Sequence, residues 1–244
     1  MSFWEQRLRG NLNRLNAVIA VVALILASAA IGCSSELSET ELAYNDGIAS
    51  FEGGQYTEAI TNFDKAIQID PDFVDAYNDR GYAYNELGQY ERAIEDFNKA
   101  IQLDPGYAKA YGNRGLSNRK LGQPQRAIED YDTAIDLGLN DAKVYTSRGY
   151  AYHSIHQNQR AIEDYDKGIK IDPNFALAYN NRGIAYGHLG QYERAIQDLD
   201  RAIQLDSDFA MAYYNRGVAY GFLGRDSEAY ADERKACSLN SEYC

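Results

Sequence analysis

The chain has little of what most enzymes and nucleic-acid binders require. Its 244 residues include three histidines, three cysteines, four prolines and one tryptophan. Basic residues number 24 against 36 acidic ones, for a net charge of −12. That balance excludes a sequence-independent nucleic-acid binder, because neutralising phosphates needs a cationic face. Four prolines and only 20 glycines exclude a collagenous or low-complexity chain. There is no glycine-rich phosphate loop and no serine or cysteine set beside a base, so no enzyme, no catalytic residue and no cofactor is expected. His153 and His156 stand three apart on one helix with no third ligand nearby. Asp70, Asp72 and Asp75 lack the glycine and glutamate of a calcium loop, so no metal site is expected either. Tyrosine, by contrast, is plentiful: 21 against eight phenylalanines suggests one environment copied many times.

Long apolar runs are scarce too. Ala17 to Ile31 is 15 residues, shorter than the roughly 20 that cross a bilayer core, although a span that borrows flanking residues stays open. Arg7, Arg9 and Arg14 precede it with a single acid, Glu5, which is the charged-then-apolar layout of a secretory signal. Ala30-Ile31-Gly32-Cys33 at its end resembles the bacterial lipobox, with Ala30 where leucine is usual. That resemblance implies a lipoprotein signal peptide over 1–32, acylation of Cys33 and a short tether over 33–39, whose reach is about 20 Å. By resemblance to Gram-negative lipoproteins, Ser34 and Ser35 imply lipid anchoring at the periplasmic face of the outer membrane. An ordinary cleaved signal and an uncleaved anchor, the latter leaving a cytosolic adaptor, are the alternatives. With Cys33 taken by lipid, Cys237 and Cys244 are left as one pair, which outside the cytosol forms a disulfide. Two unpaired thiols at a frayed end are the other reading.

From residue 40 onward the sequence repeats itself. A shift of 34 aligns Gly47, Gly81, Gly115, Gly149, Gly183 and Gly217, and the same shift aligns Ala59, Ala93, Ala127, Ala161, Ala195 and Ala229. Within a unit, Tyr77, Gly81, Tyr84 and Leu87 fall at helical spacing, Gly88-Gln89 interrupts, and Ala93, Phe97, Ala100 and Ile101 resume it. The spacing predicts two helices joined by a short turn. Asp70-Pro71, Asp104-Pro105 and Asp172-Pro173 close the second helix, because proline disfavours helical geometry in the residue before it. One hairpin cannot bury both its faces, so the units must stack. Arg80, Arg114, Arg148, Arg182 and Arg216 are each followed 16 residues later by aspartate, whereas the first unit has Asp46 and Asn62 at those places. Loss of both partners together predicts an ion pair inside each hairpin.

These residues resemble the tetratricopeptide repeat. The resemblance covers 40–243 as six units, 40–73, 74–107, 108–141, 142–175, 176–209 and 210–243. It implies an all-α, right-handed superhelix (a solenoid) whose first helices line an inner groove. Departures are Leu139, Ser207 and Ser241 at the terminal proline, Pro124 at the turn tyrosine and Glu233 at a core aromatic; the last unit, polar on its outer face, reads as a cap. The groove-facing stripe is expected to be Asp75, Asn78, Asp79, Tyr82, Asn85 and Glu86 and their equivalents. Read unit by unit, it begins acidic with Asp79 and Tyr82, turns basic with Arg119, Lys120 and Lys143 beside Tyr150, and ends apolar with Ile184, Met211, Tyr214, Val218 and Phe222. Asn45, Asn113, Asn181 and Asn215 recur at one place along it, and their amides suit an extended peptide backbone. The expected function is a lipid-anchored scaffold that binds a peptide or protein partner and serves cell-envelope assembly or maintenance. A homodimer that buries units five and six is the alternative. The carboxylate clamp of chaperone-binding relatives is not expected, because its cationic places hold Tyr44, Asn78, Gly112 and Thr146.

Overall fold

The structure, a computed structural model, describes residues 37–244. The signal segment, Cys33 and most of the tether lie outside the described residues. Twelve α-helices follow in six pairs: α1 Glu39–Glu52 and α2 Tyr56–Ile69; α3 Val74–Glu86 and α4 Tyr90–Leu103; α5 Ala108–Lys120 and α6 Pro124–Asp136. Then come α7 Ala142–Ser154 and α8 Asn158–Ile171; α9 Ala176–His188 and α10 Tyr192–Leu205; α11 Ala210–Phe222 and α12 Asp226–Leu239. A single 3-10 turn, Ser241–Tyr243, closes the series, and a disulfide between Cys237 and Cys244 ties it back to α12. No helix among the described residues is long and apolar enough to cross a membrane.

Local chemistry sets the boundaries. Ser38 and Glu41 form a reciprocal capping box at the start of α1: the Ser38 hydroxyl accepts the Glu41 N–H at 3.2 Å and the Glu41 carboxylate accepts the Ser38 N–H at 2.8 Å. Between units, an aspartate turns the chain by accepting the N–H two residues on, as Asp70 does from Asp72 at 3.0 Å and Asp172 from Asn174 at 2.9 Å. Unit three lacks this device. Gly138 takes a positive φ of 96° instead, and Asp141 caps α7 by accepting the Val144 N–H at 2.7 Å. Inside each hairpin the turn needs a left-handed residue, supplied by glycine at Gly88 (φ 71°) and its equivalents; His156, at φ 62°, holds that conformation in unit four. His156 is therefore in the turn after α7, not on the helix that carries His153.

The repeated small residues are points of helix contact. A Cβ at Gly81 would lie 2.7 Å from the Phe97 ring, and one at Gly149 would lie 2.8 Å from Tyr165, so in units one to five only glycine lets the first helix meet the large core residue of its partner. The second helices of units one to five each pack on the first helix of the next unit, and consecutive first helices also touch. Among the described residues no second helix touches another second helix. The array therefore bends with its first helices on the inner, concave side.

The arginine column does more than pair within hairpins. Arg148 binds Asp164 of its own unit through two hydrogen bonds of 2.7 Å, and its third nitrogen reaches back to Asp132 of the preceding unit at 2.6 Å. Arg80, Arg182 and Arg216 do the same with Asp96 and Asp64, Asp198 and Asp166, and Asp232 and Asp200; Arg114 uses Asp130 and Asn98. The in-hairpin pairing is as expected, but the backward contact corrects the view that the bridge is confined to one hairpin. In unit six the backward-accepting place is filled by Arg234, and in unit one the arginine place is Asp46. The in-hairpin acids are buried, and burial pushes the Asp96 carboxyl up while Arg80 holds it down. Arg148→Leu would leave Asp164, 3% exposed, with only the exposed Lys167 ammonium at 3.7 Å in place of the bidentate guanidinium, and should cost up to about 3–5 kcal/mol. Asp132→Ala, at a partner 48% exposed, should cost roughly 0–1 kcal/mol. Exchanging the charges of Arg148 and Asp164 should recover only part of the loss, because the carboxylate placed at 148 then faces Asp132. Denaturant titrations of the three variants check this, and equal costs for the two single changes would sink the clamp.

Candidate functional site

The concave surface is built from one helix of every unit, so it is best followed from α1 to α11. At the first joint the Tyr44 hydroxyl donates to Asp79 at 2.5 Å, and Asn78 donates to the same carboxylate at 2.8 Å. Burial pushes Asp79 up, with the two hydrogen bonds opposing it. Burial, then the bond to Asp79, pushes the Tyr44 phenol up. At the second joint Asn113 donates to Asn78 at 3.0 Å, and at the last Asn215 donates to Asn180, also at 3.0 Å. These are contacts between neighbouring first helices, and they correct two expectations. Asn78 and Asn85 are buried between units rather than facing solvent, with Asn85 accepting from the Ser117 hydroxyl at 2.7 Å. The asparagine series is in part a staple between units: Asn45 is exposed, Asn113 and Asn215 are bonded across joints, and Asn181 is buried and accepts from Asn180. The sequence carried the signal, since polar residues occupy two adjacent places in three of the six first helices, as Asn78-Asp79, Thr146-Ser147 and Asn180-Asn181.

Side chains stack along the same surface. Phe51 lies on Tyr82 with ring centroids 5.3 Å apart, and the Arg119 guanidinium sits 4.9 Å over Tyr150. Lys120 and Lys143 are exposed. A cavity of about 410 Å³ brings together Asp79, Tyr82, Asn113 and Lys143, with Lys109 and Ser147. Tyr131, which also lines it, has a buried hydroxyl with no hydrogen-bond partner.

The apolar end opens into a second cavity of about 350 Å³, between α9 and α11, where Ile184, Asn215, Val218 and Phe222 converge with His188 and Tyr192. Phe222 is 66% exposed and stacks flat on Tyr192 at 4.7 Å. Met211 and Tyr214 are exposed but lie outside this cavity; Tyr214 turns toward Tyr243 at 5.1 Å and the far end of the array. Tyr192 and His188 were not singled out among the expected groove residues. Tyr192 occupies the turn-tyrosine place of its unit and His188 the Glu86 place of the groove-facing stripe, so the period makes both places visible.

His188 also alters the histidine picture. Its ring lies edge-on to His153 at 4.8 Å, and His153 Nδ1 is 2.7 Å from the amide oxygen of Asn158. Among the described residues no three histidine, cysteine or carboxylate side chains group as a metal site. Burial pushes the His153 imidazole down, the Asn158 bond opposes this, and His188 and His156 add to it. A base held below its unfolded value of about 6.5 binds fewer protons folded than unfolded, so its contribution to stability is lost as pH falls below that value. Between about pH 7.5 and 5.5 the melting temperature should fall, and His153→Gln should reduce that fall. An identical fall in the variant would exonerate His153.

Sequence-family comparisons agree with the period. Models described as TPR repeat match residues 47–88 and 188–224, and models described as tetratricopeptide repeat match 74–107, 108–138, 142–175, 164–197 and 210–243. No curated protein matches the chain. Among solved structures, MamA is 27% identical, covering 69% of this chain and 92% of its own, with a TM-score of 0.60. PilW, described as a widely conserved type IV pilus biogenesis factor, is 19% identical over 84% of this chain and 94% of its own, with a TM-score of 0.76. YrrB, described as a TPR protein with an unusual peptide-binding site, is 21% identical over 74% of this chain and 93% of its own, with a TM-score of 0.61. The last two are alike in fold.

Proposed function

The chain belongs to the tetratricopeptide repeat family, whose members are in general non-enzymatic scaffolds for protein–protein interaction, and from that premise we propose that it holds an extended segment of a partner protein in its concave groove. The observation that carries this is the apolar end. Val218, 40% exposed, and Phe222, 66% exposed, line a cavity large enough for a side chain, and Met211 and Tyr214, each 40% exposed, extend the apolar surface of the same inner helix beyond it. A soluble surface that apolar and that concave is typical of a contact site. Groove binding should survive loss of any one backbone-facing amide but not loss of the apolar wall. Peptides selected by display against the detergent-solubilised full chain should lose at least tenfold in affinity with Phe222→Ser, since burying a large apolar side chain contributes about 1.5–3 kcal/mol. Selected peptides that ignore both Phe222→Ser and Val218→Ser would move the interface off the groove.

The same scaffold is a lipoprotein in this proposal, anchored through Cys33 at the periplasmic face of the outer membrane, where it serves envelope assembly or maintenance. Support comes from the basic segment, the 15-residue apolar run and the cysteine that ends the lipobox-like tetrapeptide. The Cys237–Cys244 bond fits an oxidising compartment. Protein extracted from membranes with detergent should have the mass of a chain that begins at Cys33 and carries acyl groups, and should gain two hydrogens on reduction. A full-length, unacylated mass would remove the lipid anchor and the periplasmic setting while leaving the repeats as they are.

A further inference from the structure

At four of the five joints between units, the side chain at one fixed place of a first helix reaches the first helix of the next unit, and at the fifth joint that place has no side chain. Phe51 of unit one covers Tyr82 of unit two, and Arg119 of unit three covers Tyr150 of unit four. Both covers reach forward by 31 residues, from the same place in one first helix to the same place in the next. Asn85 and His153 hold the covering place in units two and four; from there Asn85 bonds Ser117 and His153 meets His188, each in the next unit. In unit five the covering residue is Gly187, and 31 residues on is Val218. Nothing lies within 4 Å of where a Cβ at Gly187 would be. The cavity between α9 and α11 is thus a missing side chain: Ile184, Val218 and Phe222 form its walls and Leu199 and Ala219 its floor. An apolar side chain supplied from outside would complete the pattern that Phe51 and Arg119 complete from within.

Charge on the neighbouring helices selects what accompanies that side chain. In a chain of net charge −12, helices α5 and α7 contain no acidic residue, and they present Lys109, Arg119, Lys120 and Lys143. Their other arginines, Arg114 and Arg148, are sequestered in the clamps. Helix α1 is the reverse, with Glu39, Glu41, Asp46 and Glu52 and no base. Beyond α7, helices α9 and α11 hold only clamped arginines, apart from His188. Packed helices lie about 8–10 Å apart, so one or two units of groove span about 10–20 Å, which an extended peptide crosses in about three to six residues.

We propose that the groove recognises a peptide segment in which acidic residues lie about three to six positions from one bulky apolar side chain, the acids on α5 and α7 and the apolar group in the cavity that Gly187 leaves open. This specifies the partner for the groove binding proposed above and rests on it. Electrostatic complementarity over α5 and α7 sets register and encounter, and the cavity sets residence.

The test uses the full chain in detergent and labelled 12-residue synthetic peptides, with binding followed by fluorescence anisotropy. The parent peptide carries Asp-Glu, four neutral polar residues and Phe. Its counterparts replace the acids with lysine or the Phe with serine, or place Phe next to the acids. The parent should bind at least tenfold more tightly than each counterpart, and its affinity should fall as salt rises. Gly187→Leu, which fills open space and should not disturb the fold, should abolish the advantage of Phe over Ser while leaving the preference for acids. Lys120→Glu with Lys143→Glu should do the opposite. If the parent and its lysine and serine counterparts bind equally, and Phe222→Ser weakens all of them, the groove binds peptides but the selectivity proposed here is wrong. If no peptide binds and Phe222→Ser changes nothing, groove binding itself falls and this proposal falls with it. Self-association of the chain that Gly187→Leu abolishes would make a second copy the occupant and overturn the proposed segment.

Discussion

A hairpin of two amphipathic helices has more apolar surface than it can cover by itself. Each second helix here has one face against its own partner and another that only the next unit can bury. Phe63, Phe97, Tyr131, Tyr165 and Leu199 are buried at this double contact, 2% exposed or less. Repetition follows from that debt of surface, and so does the geometry. Because first helices touch across units and second helices do not, stacking bends the array and creates a concave face that no single unit possesses. The candidate site is therefore a property of the joints. Its cavities lie between units, lined by residues about 34 apart in sequence, rather than within any hairpin.

Apolar contact alone would let hairpins slide or rotate on one another, since the buried surfaces of successive units are near copies. The arginine clamps supply direction. A planar guanidinium holding one carboxylate through two parallel bonds and a second carboxylate through its remaining nitrogen fixes three helices in one arrangement. Partial burial of such pairs carries a desolvation cost, so their worth lies in register more than in net stability. The tyrosines contribute in the same places: Arg148 lies within 6 Å of the rings of both Tyr145 and Tyr152, which lets a half-buried cation be solvated by aromatic faces where water is scarce. That is a physical reason for the excess of tyrosine over phenylalanine in the composition.

Most of the fold was legible because its causes are local and periodic. Glycine where helices meet, alanine at the facing place, aspartate-proline at unit ends and left-handed turn residues recur at an interval of 34 and need no tertiary knowledge to find. The groove was less legible. Helical periodicity separates a face that packs from a face that does not, but the curvature adds a second contact between first helices, and it buried Asn78, Asn85 and Asn181, which linear spacing had assigned to the open surface. The backward arm of each clamp was overlooked for a related reason: its acid sits two places beyond the in-hairpin column, on the helix before. Ile184, Val218 and Phe222, which line the cavity between α9 and α11, stood out because their residue types departed from the repeat, and a departure needs no geometry to be noticed.

The clamp has a further consequence at the ends of the series. Every internal joint joins an acceptor on one second helix to an arginine on the following first helix, so any internal unit can follow any other. Unit six breaks the rule with Arg234 at the acceptor place, and unit one breaks it with Asp46 at the arginine place. Lengthening the array by copying a middle unit, such as 142–175, adds a joint of the existing kind and a further stretch of concave surface. Placing the same unit after the sixth sets arginine against arginine. The groove's length can thus change by duplication within the array but not by extension from this end, and Arg234 makes α12 a punctuation mark in the chain.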